Sequence, residues 1–350
     1  MIPFFVPEFT KDMENAAIDA LRNEKFVMGE SVAKFEEEFA RYIGTKYAIS
    51  VNSGNSALQL SLLSLNITEE SKVITSTNSF IASANCILMT GSKPILCDIN
   101  YDDGNMDIKS TNEKPDAIIP VHIYGNPCDF ESIKNLSETN KIPIIEDACQ
   151  AHGAVYEQKK VGSLGNVGCF SFYPTKNMTV CGDGGMVTTN NEEIKNKIES
   201  LRDNGRKNRT EHDKLGFTMR LNTSNAAIGR IQLQNLDDKN KRRREIAAIY
   251  KKFLSEDCIL PENRKGMSVY NQIVLKHKKR SEIVLHLSKN DIGAAIHYSV
   301  PIHKQPLYAG YRFNLPISEK FSHEVVSLPS HPGLKDDDIK LICEKINEVI

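Results

Sequence analysis

The sequence predicts an α/β protein with a large domain, built on a mostly parallel central sheet covered by helices, and a smaller C-terminal α+β domain. The chain has 350 residues, enough for one large unit and one smaller unit. Short apolar strands alternate with amphipathic helices from residue 10 to about residue 230, a pattern typical of crossover connections between parallel strands. The pattern then changes, so we place the large domain at residues 1–236 and the smaller one at residues 237–350.

Within the large domain, predicted strands of four to six apolar residues are separated by segments with helical periodicity. The predicted helices are SVAKFEEEFARYI, NSALQLSLLSL, IASANCILMTG and FESIKNLSE. The predicted strands are KYAISV, KVITS, KPILCDI, DAIIPVHI and IPIIED.

The smaller domain is predicted to follow one long helix that runs from about Asn222 to Leu254. Its elements are the apolar segments SVYNQIVLK and AAIHYSV, the helix-like SEIVLHLSKND and the closing helix KDDDIKLICEKINEVI. The basic stretch KNKRRRE belongs to the long helix, and we interpret it as a solvated helix face rather than a targeting or phosphate-binding site.

Composition excludes several classes of protein. The formal net charge is −1, which gives no reason to expect nucleic acid or an anionic membrane as a partner. No apolar run reaches about 18 residues, so no transmembrane helix is expected, and the N-terminus does not resemble a signal peptide. The eight cysteines are scattered, which argues against a disulfide framework and against a metal site. We therefore expect a cytoplasmic protein.

Polar residues follow the predicted strand IPIIED, and ligands gather at the carboxyl ends of strands in open parallel sheets. Asp147 and Gln150 stand at this strand end. Asp147 is a candidate functional carboxylate, although capping of the following turn is an equally open interpretation.

A second candidate lies in SVNSGNSALQL, where a strand, a turn and a helix start follow one another. The backbone N–H groups of Gly54, Asn55 and Ser56 would point outward at a helix N-terminus, which suits a phosphate. A plain N-cap by Ser53 or Asn55 is the alternative.

The third candidate is Lys176 in FSFYPTKNMTVCGDGG, five residues after Ser171 and 29 after Asp147. Apolar neighbours would lower its pKa by desolvation, and the glycine turn that follows would let its chain move. The earlier GSLGNVG precedes its strand instead of following it, so it is not a dinucleotide-binding fingerprint.

These segments together predict pyridoxal phosphate as the cofactor. It requires a lysine for a Schiff base, a carboxylate that keeps the pyridine nitrogen protonated, and a phosphate site. Lys176 and Asp147 supply the first two, Gln150 would reach the phenolic oxygen of the ring, and the turn at Gly54 would hold the phosphate.

The chain resembles the DegT-type sugar-nucleotide aminotransferases, a fold-type I pyridoxal-phosphate family that includes the perosamine synthases. The resemblance runs nearly end to end. The blocks that carry it include FVMGESVAKFEEEFARYIG, SVNSGNSALQLSLLSL, TNSFIASANCILMTGSKPILCDI, PVHIYGNPCDF, IIEDACQAHGA, FSFYPTKNMTVCGDGGMV, RLNTSNAAIGRIQL and IHKQPLYAGY.

The resemblance implies roles for the residues of the cofactor site. Lys176 matches the Schiff-base lysine, Asp147 the partner of the pyridine nitrogen and Gln150 the contact to the phenolic oxygen. Phe80 matches the aromatic residue that stacks on the ring, and Ser171 a phosphate contact beside the turn formed by Gly54, Asn55 and Ser56.

The resemblance also implies a homodimer in which each active site is built from two chains. Relatives usually carry an asparagine at the position of Thr218, and that asparagine reaches the phosphate of the neighbouring chain. His303 and Tyr308 lie in a block that matches the substrate-facing loop of the family.

The activity implied is transfer of an amino group, usually from glutamate, to a keto group of a nucleotide-linked deoxysugar. The sequence slightly favours carbon 4 over carbon 3. The alternatives are a non-catalytic, cofactor-binding regulatory protein on the same fold and a sugar dehydratase. Lys176 argues against the dehydratase, because that branch of the family replaces the lysine with histidine.

Overall fold

The computed structural model describes residues 1–111, 113–262 and 265–350. Its α-helices are α1 (Lys11–Asn23), α2 (Glu30–Ile43), α3 (Gly54–Ser64), α4 (Ala82–Met89), α5 (Phe130–Asn140), α6 (Glu192–Arg202), α7 (Thr223–Gln234), α8 (Leu236–Phe253), α9 (Arg280–Lys289), α10 (Pro316–Glu324) and α11 (Asp336–Asn347). Its strands are β1 (Tyr47–Val51), β2 (Lys72–Ser76), β3 (Lys93–Cys97), β4 (Ala117–Ile119), β5 (Ile145–Asp147), β6 (Val155–Tyr156), β7 (Lys159–Lys160), β8 (Val167–Ser171), β9 (Gly185–Thr189), β10 (Gly266–Met267), β11 (Ile273–Lys276) and β12 (Val325–Leu328).

The central sheet has the strand order β3-β2-β4-β5-β8-β9-β1. Its two halves are joined between β4 and β5 by parallel bridges, Ile118 to Ile144 and Val121 to Asp147. Strand β2 pairs parallel with β3 and β4, and β5 pairs parallel with β8, whereas β9 runs antiparallel to both β8 and β1. The prediction of a mostly parallel sheet is therefore confirmed, with β9 as the reversed strand.

Strand β8 shows how the sheet is covered on both faces, because side chains alternate along a strand. Phe170 packs against Phe39 of α2, with ring centroids 5.0 Å apart. Cys169 faces the opposite core, which contains Leu58 of α3 and Ile198 of α6. Each fully buried side chain of this size contributes about 1.5–3 kcal/mol relative to exposure, so the two cores hold the strand ends in place.

The predicted long helix from Asn222 to Leu254 is wrong as a single element, because the chain forms α7 and α8 with a break at Asn235. Asn235 has φ −102° and ψ 2°, and its side chain donates to the carbonyl of Ile231 at 3.0 Å. Asparagine favours such local hydrogen bonds over the helical backbone pattern, which explains the break.

The segment AAIHYSV, expected to be an element of the smaller domain, forms no strand among the described residues and pairs through a bridge between Ala295 and Ser327. The carbonyl of His297 accepts from the hydroxyl of Tyr124, which follows β4, at 2.6 Å. The segment therefore connects the C-terminal part of the chain to the region around β4 instead of forming a strand.

The C-terminal elements share a hydrophobic core. Strands β11 and β12 pair antiparallel, and Tyr250 of α8, Ile283 of α9 and Ile342 of α11 are buried together. Helix α8 also reaches the core beneath β8 through Leu236. The boundary at residues 236 and 237 stays a prediction. Among the residues described, no helix has the length and apolar character needed to span a membrane.

Candidate active site

Asp147 is the last residue of β5 and is only 5% exposed. Its Oδ2 accepts a hydrogen bond from the Ser83 hydroxyl at 2.7 Å, and its Oδ1 accepts from the backbone N–H of Cys149 at 3.2 Å. Ser83 lies in the first turn of α4, and no sequence pattern singled it out. The two bonds hold the Asp147 carboxylate in one orientation at the sheet edge.

The strand that ends at Asp147 is anchored by its buried neighbour, Glu146. The Glu146 carboxylate accepts from the backbone N–H groups of Gly162, Leu164 and Gly165, each at 2.7 Å. It also bonds His122 Nε2 at 3.1 Å. Because Glu146 is fully buried and its carboxylate is held by four partners within the fold, it has a structural role in positioning the end of β5.

Gln150 is oriented by two hydrogen bonds. Its Oε1 accepts from the backbone N–H of Tyr124 at 2.8 Å, and its Nε2 donates to the Tyr298 hydroxyl at 3.2 Å. The Tyr298 ring lies 6.4 Å from the ring of Phe80 between centroids. Phe80 is 57% exposed, although its side chain is large and apolar. Tyr298 therefore links Gln150 to Phe80, and the sequence did not indicate it.

The N-terminus of α3 lies directly against the end of β8. A Cβ added to Gly54 would come within 2.7 Å of Ser171 Cβ and 2.8 Å of Cys149 Sγ, so only glycine fits here. The Ser53 hydroxyl caps the helix by accepting from the Ser56 N–H at 3.1 Å. The N–H groups of Gly54 and Asn55 have no hydrogen-bond partner within the described ranges. The helix is thus capped, yet two donors remain for an anion.

Lys176 follows β8 in an irregular segment, and its backbone N–H donates to the carbonyl of Tyr173 at 2.9 Å. Its side chain is half-buried. Burial lowers the pKa of Lys176, while the nearby Cys149 and Asp147 groups oppose this shift. A lowered pKa leaves more of the amine neutral, which is the form that attacks a carbonyl carbon.

The backbone next to Lys176 is held rigidly rather than loosely. The Asn177 side chain donates to Asn240 Oδ1 at 2.8 Å and to the Val269 carbonyl at 2.9 Å, and it accepts from Asn271 Nδ2 at 2.9 Å. A Cβ added to Gly185 would come within 2.4 Å of the Ser53 carbonyl oxygen. At this position of the GDGG turn, glycine is thus needed because two backbones approach closely. The structure gives no support to the expectation that this turn lets the chain at Lys176 move.

A buried histidine lies beside this segment without hydrogen-bond partners at either ring nitrogen within the part of the chain described. His152 is in contact with the rings of Phe170 and Phe172, at 5.4 and 5.8 Å between centroids. Burial, assisted by the charge of Lys176, lowers the pKa of His152 to about 3. His152 is therefore a neutral packing residue near the lysine.

The side chains of the remaining predicted residues form their hydrogen bonds with residues outside this cluster. Thr218 is exposed, and its hydroxyl donates to Asn204 Oδ1 at 3.1 Å within its own chain. His303 is buried and bonds Thr77 at 2.7 Å through Nδ1. Tyr308 has no exposed surface, and its hydroxyl donates to Asn85 at 3.3 Å. Direct contact of Tyr308 with a substrate is not possible in this conformation.

The fold is that of solved sugar aminotransferases. The DesV protein of S. venezuelae, solved in complex with a ketimine intermediate, superposes with a TM-score of 0.93 at 34% identity, over 96% of this chain and 93% of that one. The model of the DegT/DnrJ/EryC1/StrS aminotransferase family matches residues 7–347, so the chain belongs to this family and is an aminotransferase.

Two curated relatives match almost end to end. The chain is 37% identical over 359 residues to the dTDP-3-amino-3,6-dideoxy-alpha-D-galactopyranose transaminase of Aneurinibacillus thermoaerophilus, over 99% of each chain. It is 36% identical over 343 residues to a Geobacillus stearothermophilus protein named pleiotropic regulatory protein, over 94% of this chain and 92% of the relative. Family membership confirms the predicted fold and enzyme class and, at the level of the family, pyridoxal phosphate as the cofactor.

Proposed function

We propose that this protein transfers an amino group from glutamate to a keto group of a nucleotide-linked deoxysugar, with pyridoxal phosphate as its cofactor. The observation that carries the proposal is the meeting of three groups at one sheet edge. These are the fixed carboxylate of Asp147, the desolvated amine of Lys176 and the N–H groups of Gly54 and Asn55, which have no partner among the described residues.

The residues of this edge fit the cofactor. Asp147 would hold a proton at the ring nitrogen, and the Gln150 amide would bond the phenolic oxygen. The N–H groups of Gly54 and Asn55 would hold the phosphate together with Ser171, against which Gly54 packs. The exposed face of Phe80 would cover the ring and exclude water from it. Pyridoxal phosphate, once bound, supplies a protonated aromatic ring that withdraws electrons from the substrate carbon.

Lys176 is the group that would move the proton. Its amine would take a proton from the reacting carbon of the donor and return it at a neighbouring carbon, as a general base and then a general acid. Burial lowers the pKa of Lys176, and this direction supports the role because it leaves more of the amine in the unprotonated form that accepts a proton. Asn177 would hold the backbone at this position through three hydrogen bonds, which fixes the point from which the Lys176 side chain extends.

The name of the Aneurinibacillus relative supports a nucleotide-linked deoxysugar as the acceptor, and it favours carbon 3. The sequence itself slightly favours carbon 4, and the position stays open between these two. Assays with 3-keto and 4-keto sugar nucleotides distinguish them.

We also propose that two chains build each site. In the single chain, Leu215 is 82% exposed and Phe26 is 69% exposed, which supports burial of apolar surface in an interface. Thr218 is exposed as well, so it is free to face a second chain.

To test this function, glutamate labelled with nitrogen-15 and a panel of keto-sugar nucleotides are added to the purified protein. We expect the cofactor absorbance to bleach with glutamate alone and the nucleotide product to carry the label by mass spectrometry. A second candidate, a non-catalytic regulatory protein, is favoured by the name of the Geobacillus relative. It predicts no bleaching and no labelled product.

A further inference from the structure

A cavity beside Lys176 is lined by a buried arginine that has no carboxylate partner among the described residues. The cavity measures about 240 Å³, and its walls include Lys176, Glu8, Lys239, Arg243 and His331. Lys239 forms an ion pair with Glu8, so its charge is compensated. Arg243 forms no ion pair with any residue that the structure describes. An uncompensated positive charge therefore lines the cavity next to the reactive lysine.

The hydrogen bonds of Arg243 occupy one nitrogen and leave one edge of the guanidinium unused. Arg243 is 5% exposed, and its Nη1 donates to the carbonyls of Ser330 at 2.9 Å and Tyr270 at 3.3 Å. Its Nε is buried without a partner, and Nη2 makes no hydrogen bond within the described residues. Nε and Nη2 share an edge of the planar group, and that edge matches the two oxygens of a carboxylate.

The burial of the charged Arg243 side chain is energetically unfavourable unless an anion pairs with it. Burial lowers its pKa to about 10, so the group is still cationic at neutral pH. A buried charge without a partner is strongly disfavoured, whereas a paired and hydrogen-bonded one is tolerated. His331 on the same wall also has a buried Nε2 without a partner in the described chain. Two unsatisfied polar groups thus border one cavity.

Resting on the proposed function, we propose that Arg243 and His331 bind a carboxylate of the amino donor beside Lys176. The other anion of the reaction, the diphosphate of the sugar nucleotide, carries more oxygens than this single buried edge can satisfy. A donor carboxylate held here would place the amino group of the donor in the cavity that Lys176 lines. The same edge would release the keto acid formed from the donor.

The test is a calorimetric titration of the resting holoenzyme with 2-oxoglutarate, which has no amino group to transfer, and separately with dTDP. We expect Arg243→Gln to weaken 2-oxoglutarate binding by about tenfold or more while dTDP affinity stays within about twofold. Arg242→Gln is the matched control, because the Arg242 side chain bonds Asp336 and the carbonyl of Leu334 and does not line the cavity. This control should bind both ligands as the parent does.

Arg243→Lys and His331→Asn cover the case in which Arg243→Gln does not fold. The lysine keeps the charge but lacks the paired edge, and the asparagine leaves the Arg243 contacts intact, so both should weaken 2-oxoglutarate binding. Parental affinity in the variants, no measurable binding by the parent, or loss of dTDP affinity instead would each overturn the proposal. If the cofactor absorbance of the parent bleaches with glutamate while the Arg243 variants bind 2-oxoglutarate as the parent does, only the proposed carboxylate subsite is refuted. A parent that never bleaches, yet binds 2-oxoglutarate through Arg243, would remove only the proposed function.

Discussion

Replacing Asp147 with asparagine separates the charge of this residue from its shape. Asparagine keeps an oxygen that can accept from the Cys149 N–H, now at 3.2 Å. The Ser83 hydroxyl, which donates to Oδ2 at 2.7 Å, can rotate to accept from the new amide. The fold should therefore change little, with a loss of about 1 kcal/mol in the free energy of unfolding.

The charge has no substitute at this position. Ser83 and the Cys149 N–H are neutral partners, so Asp147→Asn leaves no anion to hold the proton at the cofactor ring. Loss of a fixed group that stabilises transition-state charge typically slows a reaction by two to three orders of magnitude, or about 2.7–4 kcal/mol. We expect that decrease in the rate of bleaching by glutamate, measured by stopped flow with saturating cofactor.

Asp98→Asn is the matched control, because Asp98 is also a buried carboxylate after a parallel strand of the same sheet. It accepts from the backbone N–H groups of Ser318 at 2.7 Å and Ile317 at 2.9 Å, so it caps α10. We expect it to lower the free energy of unfolding by about 1–3 kcal/mol and to leave the bleaching rate near that of the parent. If Asp147→Asn binds cofactor fully and reacts at the parental rate, Asp147 is only a turn cap.

Three further predictions concern the other parts of the site. Gly54→Ala places a Cβ 2.7 Å from Ser171 Cβ, so the variant should bind cofactor about tenfold or more weakly in a fluorescence titration. If the variant binds cofactor as tightly as the parent, the phosphate lies elsewhere. Burial lowers the pKa of Lys176 below the ordinary 10.5, so the apoprotein should bind cofactor faster as the pH rises and the amine loses its proton. The midpoint of this rise in rate should lie below pH 10.5, and a midpoint at or above that pH would contradict the assignment. Thr218→Val removes a hydroxyl that could give the phosphate bound by the neighbouring chain at most one neutral hydrogen bond. It should therefore weaken cofactor binding by no more than about tenfold and leave a dimer in sedimentation, and a monomer of full activity would refute the shared site.

Much of the fold could be predicted from periodicity, whereas reversals and breaks could not. The strand KVITS and the helix NSALQLSLLSL lie within one residue of β2 and α3. The reversal of β9 depends on pairing with β8 and β1, which no local pattern encodes. The break at Asn235 coincides with a local hydrogen bond from its side chain to the carbonyl of Ile231, whereas the helical periodicity of the sequence continues across it.

The residues of the candidate site that stand at strand ends could be predicted from the sequence. The residues that contact them from distant positions in the sequence could not. Asp147 follows an apolar strand, and the sheet edge brings it to the residues around Lys176. Ser83 is 64 positions away in sequence from Asp147, and Tyr298 is 148 from Gln150, so no spacing rule joins them.

The basic stretch KNKRRRE shows that a run of charged residues does not by itself predict which side chains are exposed to solvent. Charge runs on helices usually face water, yet Arg243 is buried because its turn of α8 packs under the carbonyls of Ser330 and Tyr270. The interpretation of this stretch as a wholly solvated face is wrong at that residue.

Reduction of the holoenzyme with borohydride, followed by peptide mapping, identifies the lysine that carries the cofactor. We expect a single pyridoxyl group on Lys176, whose pKa is lowered by burial beside Asp147 and Cys149. Lys239, which lines the same cavity but pairs with Glu8, should stay unmodified. A pyridoxyl group on Lys239, Lys72 or Lys93, with Lys176 unmodified, would contradict the account.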